Sequence, residues 1–300
     1  MLFVTAITFF LVNLAPGGPA VMMRMDATAE QRQVWISRLN LDMPVHLRYL
    51  HWLKDAVRGD LGRSVNDNRE VTGLIAQRLP NTMLLSVTAL AISVVVGIPM
   101  GILSAIRRNS IWDYAFSVIS VAGLSVPAFW FAIMLILLFS VTLNWLPSSG
   151  VATVGMGFSL TDRLRHLIMP VIVLSTTALP FIVRFTRSAM LGILQEDYVR
   201  TARAKGLGER TVYYSHALKN ALIPVITQIG LLIARLVGGA VITESVFGWP
   251  GMGRLAVEAS HARDFTVIMG VTVVIAAVVV IINILVDLAY TWVDPRIRYG

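Results

Sequence analysis

Long apolar runs separated by short polar connectors dominate this chain. Runs on the scale of a bilayer crossing, about 20 residues at roughly 1.5 Å each, occupy residues 82–106, 115–143, 167–183, 222–241 and 266–290. A further run at 1–15 is short for a crossing, and no basic residue precedes it as one would in a signal peptide. It reads as a first transmembrane helix whose cytoplasmic start is missing or misassigned. Six spans result, each helical, because backbone groups in hydrocarbon must be paired within their own segment. Gly97, Gly101, Gly123, Gly238 and Gly239 allow neighbouring helices to approach closely. Pro99, Pro127 and Pro180 predict kinks within their helices rather than helix ends.

The polar connectors set the orientation. Arg107 and Arg108 follow the second span, the loop after the fourth carries Arg184, Arg187, Arg200, Arg203, Lys205, Arg210 and Lys219, and the tail carries Arg296 and Arg298. With six spans all three lie on one side, which the positive-inside rule makes the cytoplasm, together with both chain ends. The segment 13–81 then lies outside, and its basic and acidic residues nearly cancel. Within it, 29–39 and 45–57 show apolar positions at helical spacing, including Trp35, Tyr49 and Trp52. They fit helices at the membrane surface or a solvated helix-loop segment. The chain divides into 1–81, a first helix with an extracytoplasmic segment, and 82–300, a five-helix core with a cytoplasmic loop at 184–222.

Composition agrees with the pattern. The 300 residues are 56% hydrophobic and only 14% charged, and the mean hydropathy of +0.72 is too apolar for a wetted globular surface. The net charge of +8 is scattered beside apolar runs rather than gathered for nucleic acid. Without cysteine there is no thiol nucleophile or thiolate metal site. A Walker A loop needs Lys followed by Ser or Thr, yet Lys54, Lys205 and Lys219 precede Asp, Gly and Asn, so this chain cannot hydrolyse ATP by that route. The histidines at 46, 51, 166, 216 and 261 lack the spacing of zinc ligands. The segment Gly123-Leu-Ser-Val-Pro127 fails the GxSxG pattern at its last position. Gly59-Asp-Leu-Gly62 reads as a turn.

The polar loop carries the most information. Tyr198, Ala202 and Lys205 fall on one helical face by their spacing. Gly206 and Gly208 supply positive φ to end a first short helix. A second helix over 209–222 returns the chain to the membrane, with Pro224 near the next span's start. By physics alone this is either an ordinary amphipathic loop or a docking surface. The run Asp197-Tyr-Val-Arg-Thr-Ala-Arg-Ala-Lys-Gly206 resembles the coupling loop of ABC importer permeases, in particular the dipeptide, oligopeptide and nickel permease family. The resemblance continues through Leu14-Ala-Pro-Gly-Gly-Pro19, Gly59-Asp-Leu-Gly-Arg-Ser64, Arg78-Leu-Pro-Asn-Thr82, Trp145-Leu-Pro-Ser-Ser-Gly150, Glu244-Ser-Val-Phe-Gly-Trp-Pro-Gly-Met-Gly-Arg-Leu255 and Asp294-Pro-Arg-Ile-Arg-Tyr-Gly300. Gly18 stands where the family usually has Asp. Arg200 and Thr201 replace the Glu and Ala of the general loop, as is typical of the peptide branch.

That resemblance implies an all-α membrane protein of the ABC importer type I permease fold, with six transmembrane helices and cytoplasmic coupling helices. It implies partners: two ATPase subunits that bind ATP and magnesium, a second permease subunit forming a heterodimer, an extracytoplasmic solute-binding protein, and membrane lipid. No cofactor, metal or catalytic residue is expected in this chain, and the outer segment marks it as the first permease of its pair. Tyr198, Ala202 and Gly206 become coupling-helix positions. Asp197 and Thr201 lie within the same motif, and Arg200, Arg203 and Lys205 serve as polar contacts. The implied cargo is a dipeptide or oligopeptide, with nickel or glutathione as alternatives. An ion-coupled secondary transporter would need paired intramembrane carboxylates, and none are seen.

Arg235, mid-span in the fifth apolar run, is costly in hydrocarbon and needs a partner or water. It either lines the pathway and attracts a cargo carboxylate or pairs with Glu244 or a helix dipole. Asp287 reads as interfacial structure. Phe247 and Trp249 serve either turn packing or contact with the binding protein.

Overall fold

A computed structural model describes residues 1–14, 36 and 42–293, by backbone alone at 287 and 289–293. The expected helix at 29–39, apart from residue 36, the run 15–19, the side chain of Asp287 and the tail with Arg296 and Arg298 lie outside the described residues. Among the described residues the regular elements are helices joined by turns and loops, and the chain divides into two compact units, Met1–Thr82 with Pro250–Val278 and Met83–Trp249 with Val279–Gly300.

In the first unit, α1 (Leu2–Leu14) packs on α2 (Val45–Val57). Phe9 stands 5.4 Å from the Tyr49 ring and 6.3 Å from Trp52, and the Thr5 and Tyr49 hydroxyls meet at 3.0 Å. A short turn follows, in which Asp60 Oδ1 accepts from Gly62 N at 2.8 Å. The turn is held by the buried Asp264, whose Oδ2 accepts from Ser64 Oγ at 2.6 Å and Val65 N at 3.0 Å. Leu61, Val71, Leu74 and Ile75 form a core with Met252, Leu255 and Ala259 of α10 (Met252–His261) and with Val267 and Val271 of α11 (Phe265–Val293). A Cβ on Gly270 would lie 2.5 Å from Val71 Cγ1, so only glycine fits that approach.

The second unit holds most of α3 (Val71–Ile106), then α4 (Ile111–Ser125) and α5 (Ala128–Leu135), which widens into a π turn at Ile136–Thr142. It continues with α6 (Leu160–Ile193), α7 (Asp197–Ala204), the short α8 (Glu209–Thr211), a π turn at Val212–Ala217, and α9 (Leu218–Val246). Ser110 and Ser159 cap α4 and α6, accepting from the backbone N–H of Asp113 and Asp162, and these acids in the first turns complement the helix dipoles. The central core joins Leu85 and Ala89 of α3, Leu174, Ala178 and Ile182 of α6, and Leu236 and Ala240 of α9. Gly97 and Gly101 of α3 face Ile182, Val183 and Thr186 of α6, where an added Cβ would come within 2.9 and 2.6 Å of side-chain atoms.

Among the described residues, four helices are long and apolar enough to cross a membrane: Val71–Ile106, Leu160–Ile193, Glu209–Val246 and Phe265–Val286. The expected span at 115–143 is broken into two arms, Ile111–Ser125 and Ala128–Thr142, bent by 100°, which together count as a fifth candidate crossing. Each arm is about 22 Å long at 1.5 Å per residue, short of a hydrocarbon core of about 30 Å. Pro127 is the cause: Val126 before it is extended (φ −83°, ψ 124°), so a helix ends where a kink was expected. Pro80, Pro99, Pro170, Pro180 and Pro224 all stay inside continuous helices. The remaining expected span is α1, a shorter apolar helix of 13 residues.

Candidate functional site

The polar loop between α6 and α9 is a small folded element. Helix α6 runs ten residues past the expected end of its span, to Ile193, before α7 begins at Asp197, where an acidic side chain suits the helix N-terminus. Lys205 caps α7, and Gly206 takes the left-handed conformation, φ +78°, that favours glycine. Gly208 departs from expectation. It is extended, φ −61° and ψ 144°, and begins α8 rather than ending α7. The return helix does not stop near residue 222 either, since α8, the π turn and α9 form one 38-residue segment through Pro224.

The loop has its own apolar core. Val199 and Ala202 are buried with Val212 of the π turn, against Ile193 and Leu194. Burying a valine side chain is worth about 1.5–3 kcal/mol, enough to fix an 8-residue helix that would not form alone. The buried face of α7 is therefore Val199–Ala202, at i,i+3 spacing. It does not include Tyr198, which is 40% exposed. Ala202 is thus an anchor of the loop itself, and the expected face of Tyr198, Ala202 and Lys205 is split, with Lys205 exposed at the cap.

Polar contacts fix the rest. Asn220 Nδ2 donates to Tyr198 Oη at 2.8 Å. Arg203 donates to both Glu209 oxygens at 3.0 and 3.4 Å, closing the turn, and the carboxylate holds the guanidinium pKa above its usual value. Arg200 pairs with Asp197 at 3.2 Å, and Thr201 Oγ1 donates to the Asp197 carbonyl at 2.9 Å. Beneath the loop, Met190, Ala217 and Ala221 pack on Ile102 and Ala105 of α3. The exposed surface comprises Asp197, Tyr198, Arg200, Thr201, Arg203, Lys205 and Gly206, extended by Leu207 and Tyr214. Sequence reasoning missed Val199, Leu207 and Tyr214; the signal for Val199 was its i,i+3 pairing with Ala202.

Two arginines change character. Arg187, counted as a loop charge, lies on α6 and forms a two-pronged ion pair with Asp113 of α4. Arg235 stacks on the Phe181 ring, its guanidinium carbon 4.6 Å from the centroid, and is exposed on α9. Glu244 is fully buried nine residues further along that helix, about 13.5 Å by helical rise. The observed contact of Arg235 is thus with an aromatic face. Phe247 and Trp249 are buried in the turn after α9, Phe247 against Ala132, Leu135, Met169 and Val173, and Trp249 within the central core.

Two family models match the chain: "Binding-protein-dependent transport system inner membrane component" over residues 97–299, and the corresponding N-terminal component over 1–86. A putative peptide permease of Brucella suis is 48% identical over 302 residues, with 99% of this chain and 95% of that protein covered. The oligopeptide transport system permease protein AppB of Bacillus subtilis is 44% identical, with 100% and 95% covered. The dipeptide transport system permease protein DppB of Escherichia coli is 39% identical, with 99% and 94% covered. Among solved structures, an inward-facing MetNI methionine ABC transporter chain aligns with a TM-score of 0.60 at 21% identity, over 74% of this chain and 96% of that one.

Proposed function

The chain belongs to the family of inner membrane components of binding-protein-dependent transport systems, and on that premise we propose that it imports peptides with energy delivered by separate ATPase chains. It is a multi-pass inner membrane protein with the fold of type I ABC importer permeases. The observation that carries the reading is the shape of the polar loop: a short helix, anchored from within by Val199 and Ala202, that turns its polar face outward. No lysine in the chain precedes Ser or Thr, which supports a phosphate loop carried by a separate ATPase chain.

The α7 face supplies the contact. Asp197, Tyr198, Arg200, Thr201, Arg203, Lys205 and Gly206 meet the ATPase, while Ala202 holds the helix to its base. Two ATPase subunits bind ATP and magnesium, a second permease completes the pathway, and a solute-binding protein delivers cargo from outside. The basic loops put both chain ends in the cytoplasm. Nucleotide binding shifts the assembly between inward- and outward-open states through its differential affinity for them. Dipeptides or oligopeptides are the cargo, by the names of the AppB and DppB relatives. Arg235, a cation in an apolar helix that stacks on the Phe181 ring and has no ion pair among the described residues, lines the pathway and attracts the cargo carboxylate.

Purification of the tagged chain from membranes tests this. An ATP-hydrolysing subunit copurifies, and Tyr198→Asp, at an exposed position, releases it while leaving the permease folded. A chain that transports peptide alone in liposomes overturns the reading.

A further inference from the structure

Helix α4 is attached in an unusual way. Its only buried side chains are Asp113 and Ser120; Trp112, Tyr114, Val118, Ile119 and Val121 are all exposed. No apolar side chain of α4 is buried; the arm lies along α6, with Gly123 facing Pro180 and Thr176, and its far end is the 100° bend at Val126 and Pro127. What holds its near end is Asp113. The carboxylate accepts from Arg187 Nε at 2.7 Å and Nη2 at 2.9 Å, from Asn109 N at 3.0 Å, and from the hydroxyl of Ser104 at the inner end of α3. A two-pronged arginine–carboxylate contact fixes angle as well as distance.

The other side of the pair is rigid. Arg187 follows Ile182, Val183 and Thr186 on α6, the residues that close onto Gly97 and Gly101 of α3 without room for a Cβ. Three residues on, Met190 enters the core beneath the docking loop, and Ile193 packs on Val199 and Ala202 of α7. A displacement of α7 is therefore carried by α6 to Arg187, and α4, which lies along α6 without burying an apolar side chain, is fixed in angle by this two-pronged contact.

We propose that the Asp113–Arg187 pair is the positioning contact that transmits displacement of the docking loop to the α4 arm, so that Arg187 sets how much transport each hydrolysed ATP yields. The inference rests on the coupling reading of α7. Arg187 touches neither cargo nor nucleotide; it acts by placing α4.

The test uses the complete transporter, this chain with the partners that copurify with it, in proteoliposomes. Peptide uptake and ATP hydrolysis are measured together for wild type, Arg187→Gln and Arg187→Lys. Removing the cation still leaves Asp113 two donors, so the Gln variant is expected to assemble. Its uptake per ATP is expected to fall about tenfold, within the range of coupling free energies between sites, while hydrolysis persists. The Lys variant, which keeps the charge but loses the fork, is expected to fall in between. Spin labels at Ala204→Cys, an exposed α7 position outside the contact set, and Val118→Cys on α4 give the second readout. Their separation is expected to stay constant between nucleotide-free and ATP-bound states in wild type and to change in Arg187→Gln.

Uptake and hydrolysis that fall in parallel would overturn the proposal, as would an unchanged ratio or a label separation that changes in wild type. If Arg187→Gln does not assemble, the two readouts on Arg187→Lys decide, and wild-type values for both would overturn it. Failure of the coupling reading itself is seen earlier, as a purified complex without ATPase.

Discussion

Arg187 and Arg235 both sit on long apolar helices that pack against one another, and they are treated oppositely. Arg187 is held by a buried carboxylate at 2.7 and 2.9 Å, with Ser104 and Asn109 N completing the cluster. Arg235 has an aromatic face at 4.6 Å and, among the described residues, no ion pair. A cation neutralised within the chain stabilises an arrangement of helices. A cation without a carboxylate of its own holds attraction in reserve for something that arrives from outside. The first belongs to shape; the second is the one we propose for cargo.

The sharpest way to break this comparison is to remove the internal anion. Asp113→Ala leaves Arg187 without its partner in apolar surroundings, and the loss is expected to be about 3 kcal/mol, typical of a severed partly buried pair. Thermal unfolding of the detergent-purified chain would register it as a clear drop in Tm. Next comes the seam beside the pair. Gly101→Ala places a Cβ 2.6 Å from Thr186 Cβ and is expected to cost about 1–3 kcal/mol of overpacking, visible in the same melt and in reduced uptake. Arg235→Gln should behave the other way. Its stability changes by about 1 kcal/mol or less, the worth of an exposed cation–π contact, whereas uptake of peptides with a free carboxyl terminus falls and that of amidated peptides does not. Equal losses for both cargos would remove Arg235 from the carboxylate role. The smallest effect is expected from Phe181→Leu, which keeps the bulk beneath Arg235 and loses only the ring face, so that melting is nearly unchanged and uptake falls slightly.

The same two residues show what was legible in the sequence. An arginine in the middle of an apolar run stands out, and Arg235 was found for that reason. Arg187 reads as a loop charge because the apolar run in the sequence ends at residue 183, whereas α6 continues to Ile193 by packing Met190 and its neighbours on α3. Asp113 gave no signal, since a carboxylate near a helix start reads as an ordinary favourable charge. The spans were legible because their hydropathy is local. The 100° break was not, because Pro127 has the same local signature as Pro99 and Pro180, and only tertiary packing decides which of them ends a helix. In the polar loop, Gly206 announces its turn, while Gly208 does not reveal that it opens a helix. The buried face of α7 was misread by one residue, since Val199 and Tyr198 are adjacent and only the position of Val212 selects between them.

The central claim is that energy enters through the exposed face of α7. A photo-crosslinking amino acid placed at Thr201, with a control at Arg58 in the first unit, tests it most directly in living cells. The account predicts that the label at residue 201 captures an ATP-binding subunit, with a yield that changes when nucleotide is trapped, and that the control captures none. Capture of the ATPase from residue 58 but not from residue 201 would contradict it.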